Sequence, residues 1–461
     1  MPDADEYRCL RRLKGHNGPV NCLLFYQNGD MLASGGDDQC VRCWEVNTGR
    51  CRQELNDDRW AQVTALDFLQ EDRHLNLSPI LFIGTGRGVV SMYPFSNASK
   101  GFNRQTSSTA KVFDFNDSVE VQALDSLNQR LAVASHSGRV KMFKIDRQKN
   151  VLEPLWTFEV TTDIPRSLLF YGNGNQQVLI HTLCVGWVLC REANTGSAVS
   201  EDRLDGGVGS GALSPDGRIS AVHDISNAQF DLYDPPTSVK SSKTMSLPSN
   251  VPMVKRCLFA EEGGRRLVFG GDEGCAFVWD VGTGNHVQRL DHEEDSGTIY
   301  SVATFSSPDR YFIASGEATK DSEIYVWSKP TERVQLMREQ EMAEAARAEE
   351  QANELRQAQA IQAARDGELA RLGQMVQWMA TFLSIIHTVT GPLRVHYHPV
   401  PTAFDLGSAS AGGWNSEHIG QTGPTSAPSL NDARLRITVV INRVWEGGAL
   451  TSREKRGVAI F

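Results

Sequence analysis

The sequence predicts an all-β fold, a seven-bladed β-propeller, extended at its C-terminal side by a long helix and a low-complexity tail. Three observations carry this. First, short β-type runs split by Gly, Asn and Asp turns recur about every ten residues from Tyr7 to Pro330. Second, one position repeats along this stretch, occupied in turn by Trp44, Tyr93, Phe143, Cys190, Tyr233, Trp279 and Trp327. Successive members lie 43 to 50 residues apart, at or a little above the ~40–45-residue period of four-stranded propeller blades. Third, the pattern stops at Lys329-Pro330 and a Glu-, Gln- and Ala-rich segment replaces it.

Blade one has the clearest pattern. Gly15-His16 opens it, and an apolar run (Val20–Phe25) follows. Asn28-Gly29 makes a turn, Met31–Ser34 a second strand and Gly36–Gln39 a tight polar turn. A third strand ends at Trp44, before Thr48-Gly49. A buried indole N–H needs an acceptor. With Gly-His at its start and Trp-Glu near its end, the stretch resembles a repeat of the WD-repeat (G-protein β-subunit-like) family. That resemblance implies a hydrogen-bond relay of His16, Ser34, Asp38 and Trp44. Such a relay is architecture rather than chemistry, since a satisfied buried network rigidifies a core.

The later repeats keep the turns better than the relay. Trp44-Glu45-Val46-Asn47-Thr48-Gly49 parallels Trp279-Asp280-Val281-Gly282-Thr283-Gly284, and Asn194-Thr195-Gly196 closes repeat four. Ser214-Pro215-Asp216-Gly217 turns repeat five. Only repeat one carries the whole relay in this reading. Repeat six has Phe269 at the Ser position and Glu273 at the Asp position, and repeats two to five lack the Trp. Their blades are expected to rest on apolar packing of Tyr93, Phe143, Cys190 and Tyr233. Tyr7–Leu13 is a strand ahead of the first Gly-His. It is expected to supply the outer strand of the last blade, which joins the two ends and covers a sheet edge.

The propeller is expected over 1–329, with the family resemblance covering about 6–329. Residues 330–390 read as a long helix. Thr331–Arg371 is Pro-free and rich in helix formers, with nine acids against six bases. Leu355, Ala358, Gln362, Arg365, Leu369, Leu372, Val376, Met379, Leu383 and Ile386 follow a 3-4 spacing. The last six suit a coiled-coil seam, so 355–386 is a candidate for self-association. Met375–Val389 is apolar but shorter than the roughly 20 residues of a membrane span. Residues 391–461 are rich in Gly, Ser, Pro and Thr and read as disordered. Leu435–Val444 is an isolated strand candidate within them.

The formal net charge of −10 argues against general nucleic-acid or anionic-membrane binding. The N-terminus lacks a secretory signal pattern. Nine cysteines, an odd number, suit a reduced cytoplasmic or nuclear setting. Cys40 and Cys43 lie three apart on a strand and so point to opposite faces, which argues against a shared metal. No catalytic or cofactor motif is found, and no cofactor, metal or catalytic residue is assigned. Gly84–Gly88 separates two strands and reads as a hairpin turn. His396 and His398 are a weak metal signal, and Asp291–Asp295 reads as a solvated acidic loop.

The function class expected is therefore a non-catalytic scaffold for protein or peptide partners. A membrane-tethered regulator held through 375–389 and a propeller enzyme are the alternatives. In the family's geometry one residue near the start of each innermost strand faces the channel rim. Here these residues are Asn21, Thr64, Gln122, Arg166, Gly209, Arg256 and Tyr300, with Trp60 in the loop beside Thr64. Two arginines and no acid in that ring favour an acidic or phosphorylated peptide. The competing expectation is that both arginines pair with acids of neighbouring blades.

Overall fold

The computed structural model describes residues 6–390 apart from 73–74, 97–98, 236–239, 247–252 and 293–296, together with 436–437 and 459–460. Contacts divide the chain into two units, Met1–Glu344 and Ala345–Phe461.

The first unit is a seven-bladed β-propeller. Blade one is the antiparallel sheet Val20–Tyr26, Met31–Gly36, Cys40–Glu45 and Cys51–Asn56, ordered from the inside outward. The innermost strands of the next five blades are Val63–Leu69, Val119–Asp125, Pro165–Tyr171, Val208–Leu213 and Cys257–Ala260. Blade seven is Ile299–Ser306, Arg310–Glu317 and Glu323–Pro330, and its outer strand is Arg8–Lys14 from the other end of the propeller. Arg8 lies opposite Ser328 and Lys14 opposite Glu323. The ring is thus closed by hydrogen bonds between strands far apart in sequence, which leaves no unpaired edge at the join.

The recurrent anchor residue occupies one structural position. Trp44, Tyr93, Phe143 and Cys190 on the third strands face Leu32, Leu81, Leu131 and Leu179 on the second. Tyr233, Trp279 and Trp327 face Ser220, Leu267 and Ile313. Apolar burial is distributed between blades. One cluster joins Cys22 and Tyr26 of blade one to Leu66 and Tyr93 of blade two, and equivalent clusters fill the other six interfaces. The smallest, between blades four and five, holds Val188, Leu204, Val208, Val222 and Tyr233. Beside it lies a small cavity lined in part by His181 and Ser220, and Ser220 Oγ is buried there without a protein partner.

Turn chemistry is local. Gly84–Gly88 spans the end of one strand and the hairpin to the next, and Gly88 has φ +67°. A Cβ there would meet the carbonyl oxygens of Asp114 and Asp117 at 2.7 Å, so only glycine fits.

A single helix, Glu332–Thr390, starts in the first unit and runs into the second. At its start the Thr331 carbonyl accepts from the Gln335 N–H at 3.0 Å, and the Thr331 hydroxyl donates to the Pro308 carbonyl at 2.9 Å. Among the described residues no helix is long and apolar enough to cross a membrane. Within the strand candidate Leu435–Val444, Arg436–Ile437 pairs with Ala459–Ile460. The rest of 391–461, with His396 and His398, lies outside the described residues.

Candidate functional site

Each blade enters the ring through a loop, and the relay side chains lie where that loop meets the hairpin between second and third strands. In blade one His16 Nε2 is 2.7 Å from Ser34 Oγ, and Trp44 Nε1 donates to the same oxygen at 2.8 Å. His16 Nδ1 faces Asp38 at 3.0 Å, and Arg42 Nη1 donates to Asp38 at 2.5 Å. Burial disfavours the Asp38 carboxylate, but the hydrogen bonds from His16 and Arg42 outweigh it and hold Asp38 well below the usual carboxylate range.

Blade seven carries a second complete relay that the sequence reading missed. His292 Nε2 is 2.7 Å from Ser315 Oγ, Trp327 Nε1 donates to Ser315 at 2.9 Å, and Glu317 meets His292 Nδ1 at 2.8 Å. His292 is therefore no part of a solvated loop; its side chain is fully buried and stacked on Tyr325 at 3.9 Å. The neighbouring 293–296 lie outside the described residues. Burial lowers the His292 pKa, partly opposed by Glu317, so the imidazole is neutral. Blade six departs further. Phe269 fills the Ser position, and Trp279 Nε1 is buried with no partner. Glu273 points outward, and it is Asp272 that turns inward, its carboxylate 3.0 Å from the buried Lys255 ammonium.

Trp60 is not a rim residue. It is fully buried and donates to Ser91 Oγ at 2.9 Å, which in turn contacts Thr109 Oγ1 at 2.9 Å. It lies in the loop three residues before Val63, and its acceptor Ser91 is on the third strand of blade two, opposite Ile83 of the second. That blade is thus not held by apolar packing alone.

The rim itself is built by β-bulges, which insert an unpaired residue and re-aim its side chain. Register breaks fall at Val20/Cys22, Val63/Ala65, Val119/Val121, Pro165/Ser167, Val208/Gly211 and Ile299/Ser301. Asn21, Thr64, Arg166, Gly209 and Tyr300 fall within these breaks, and Arg256 immediately precedes the innermost strand of blade six. In blade three the bulged residue is Glu120. Gln122 lies two residues further in, is buried, and donates to the Phe82 carbonyl at 3.3 Å. The ring is therefore not free of acids.

These residues meet across the mouth of the channel. Arg166 is paired with Glu120 of the preceding blade, and Glu120 also faces His136 Nδ1 at 3.1 Å. Arg166 Nη2 donates to the Tyr300 hydroxyl of blade seven at 3.2 Å. Arg256 Nη2 reaches from blade six to the Thr64 carbonyl of blade two at 3.0 Å. Asn21 Nδ2 donates to Asp37 at 2.8 Å and to the Val63 carbonyl at 3.0 Å. Burial would raise the Tyr300 pKa, but the Arg166 and Arg256 charges prevail and lower it. Deeper in the ring, Asp67 has its Oδ2 sealed from solvent with no partner, and desolvation raises its pKa to about 7 against the pull of Gln122 and Arg256.

A family model described as WD domain, G-beta repeat matches residues 7–45 and 284–328. Those segments contain the two complete relays and the closing strand. The two matched segments are WD repeats, and they lie in a ring of seven blades. Among relatives, Ribosome biogenesis protein erb1 of Schizosaccharomyces pombe is 43% identical over 60 residues, 13% of this chain and 8% of that protein. Protein tipD of Dictyostelium discoideum is 21% identical over 323 residues, 69% of this chain and 48% of that protein. Nuclear distribution protein PAC1 of Saccharomyces cerevisiae is 35% identical over 85 residues, 18% and 17% of the two chains. In each case the match spans less than half the relative's length.

Proposed function

We propose that this chain is a non-catalytic scaffold whose channel mouth, framed by Asn21, Thr64, Arg166, Arg256 and Tyr300, binds an acidic or phosphorylated peptide of a protein partner. The observation that carries this is the Arg166 guanidinium bonded to the Tyr300 hydroxyl over the mouth, with the Arg256 guanidinium held beside it on the Thr64 carbonyl. Guanidinium binds carboxylate and phosphate bidentately, and Arg and Tyr are enriched where interfaces hold most of their energy. Glu120 supplies an internal carboxylate to Arg166, and the partner's acid takes its place. The relatives bear names from different processes, ribosome biogenesis and nuclear distribution, so the propeller rather than one pathway is what this chain shares with them. Those names and the nine free thiols support a cytoplasmic or nuclear setting.

The test is a double charge reversal, Arg166→Glu with Arg256→Glu, in a chain whose far-UV spectrum and melting are unchanged. Phosphorylated and acidic peptides on an array, and the proteins that co-purify, should be lost together. An unchanged set of both would remove the mouth as the binding site.

A further inference from the structure

The C-terminal third of the helix carries more apolar surface than one coiled-coil seam uses. Leu369, Leu372, Val376, Met379, Leu383 and Ile386 occupy alternating a and d positions of a heptad. A second stripe, Met375, Trp378, Phe382 and Ile385, falls on g and c of the same heptads, adjoining the first. Trp378 is 79% exposed and Phe382 64% exposed, and every other member of the two stripes except Ile386 is at least 41% exposed. The opposite face is small and polar: Gln374, Gln377, Ala380, Thr381, Ser384 and Thr388. Thr381 and Thr388 return their hydroxyls to the Gln377 and Ser384 carbonyls, both at 2.8 Å. The helix is therefore cleanly two-sided from Leu369 onward.

We propose that Leu369–Ile386 is a two-faced oligomerisation helix that packs against other copies of itself in an assembly of at least three chains. The exposed apolar side chains present on the order of 1,000 Å² per helix, above the few hundred Å² of a typical monomer's patch and at or above the ~800 Å² per partner of a stable interface. A two-stranded coil buries a and d alone and leaves Trp378 and Phe382 in water. Only a helix with a neighbour on each side covers both stripes. Flanking charges normally fix which partner is accepted. Here Gly373, Met375, Ala380, Phe382 and His387 hold the flanking positions, and no Asp, Glu, Lys or Arg occurs from Gly373 to Thr390. Nothing in the segment opposes a second copy. The same lack of Lys and Arg sets the segment apart from a helix lying on a membrane, whose polar face is basic. This inference is independent of the peptide-binding reading of the propeller mouth.

Sedimentation velocity of the full chain across a hundredfold concentration range tests it. A species of three or more chains is expected. Val376→Asp on the first stripe and Phe382→Asp on the second should each lower the mass by at least one chain, whereas Gln377→Asp on the polar face should not. Propeller melting should be the same in all four proteins. A monomer at every concentration would overturn the proposal. So would a dimer, or an assembly that Phe382→Asp leaves intact. Flotation with phosphatidylcholine or phosphatidylserine vesicles of a chain that is monomeric without them would assign the stripes to membrane contact instead.

Discussion

One buried carboxylate braces the closure of the ring. Glu261 sits in the turn after the innermost strand of blade six with φ +65°, and its side chain is fully buried. Its Oε1 accepts from the Tyr7 hydroxyl at 3.1 Å and lies 2.8 Å from Lys329 Nζ, itself 1% exposed. Its Oε2 accepts from Arg265 Nε at 2.6 Å. Burial, and after it the Glu261 charge, raise the Tyr7 pKa, so the phenol remains a donor. Glu261 thus joins the residue ahead of the closing strand to the strand it closes against and to the neighbouring blade. Glu261→Gln keeps the shape and removes the negative charge that Tyr7, Lys329 and Arg265 share. Breaking a buried pair from one side costs about 3–5 kcal/mol. For a propeller of this size that corresponds to a melting shift of roughly 4–7 °C. Thermal melting of the full chain is the assay, with limited trypsinolysis at Arg11 and Arg12 reporting release of the strand. Glu262→Gln at the exposed neighbour should shift melting by about 1 °C or less. Removing residues 1–14 should cost more than Glu261→Gln, because a whole ladder is lost. If Glu261→Gln melts within about 1 °C of the parent, the carboxylate does not hold the ring closed.

Two further outcomes follow from the same geometry. Trp44→Phe and Trp327→Phe each remove a donor to a buried serine and should cost about 1–3 kcal/mol in urea unfolding. Trp279→Phe removes an indole N–H that has no partner and should be close to neutral; equal costs at all three would reduce the relays to packing. The pH dependence has two limbs. The folded pKa of Asp67 is raised to about 7, so the stability it contributes is whole below about pH 4 and is lost as pH rises through 7. Asp67→Asn should therefore melt above the parent at pH 8 and match it only below about pH 4. Desolvation lowers His181 to about 4, and desolvation with the Lys255 charge lowers His223 to about 3. Below about pH 6.5 the unfolded chain takes up protons that these buried rings refuse. Stability should fall from pH 6.5 toward 4, and less steeply in His181→Gln; melting that is flat over this range would show that the rings are not held neutral.

The seven blades were legible because each repeats the same turn chemistry and one anchor position, and a residue as poor in signal as Cys190 still takes its place opposite Leu179. The relays were harder to read. Ser34 precedes Trp44 by ten residues and Ser315 precedes Trp327 by twelve, so the extended hairpin of blade seven hid the second relay. Its histidine stood in an acidic run that reads as a solvated loop, and its acid is Glu317, two residues after the serine rather than four. Trp60 was misplaced for a similar reason. An aromatic between polar neighbours in a connection reads as exposed, and its acceptor Ser91 lies 31 residues further on, out of reach of any local pattern.

The error at the rim is the most instructive, because hydrophobic patterning has no power to detect it. Val119-Glu120-Val121-Gln122 alternates apolar and polar, and a slip of two residues along a strand keeps every side chain on the same face. Glu120 and Gln122 are therefore equivalent by pattern. What separates them is the bulge at Val119/Val121, a backbone feature with no residue of its own to announce it. Its consequence is electrostatic. With Gln122 at the rim the two arginines would face the solvent unopposed. With Glu120 there, Arg166 is already neutralised, 13% exposed and braced against Tyr300. An incoming carboxylate then gains only the difference between its own bond to Arg166 and the one Glu120 gives up. A dianionic phosphate, which brings more charge and more acceptor oxygens, gains more at the same position. Arg256 is held by a neutral carbonyl, that of Thr64, and yields it at lower cost. On the proposed reading, discrimination at this mouth would depend less on how many arginines the rim carries than on which of them is already paired.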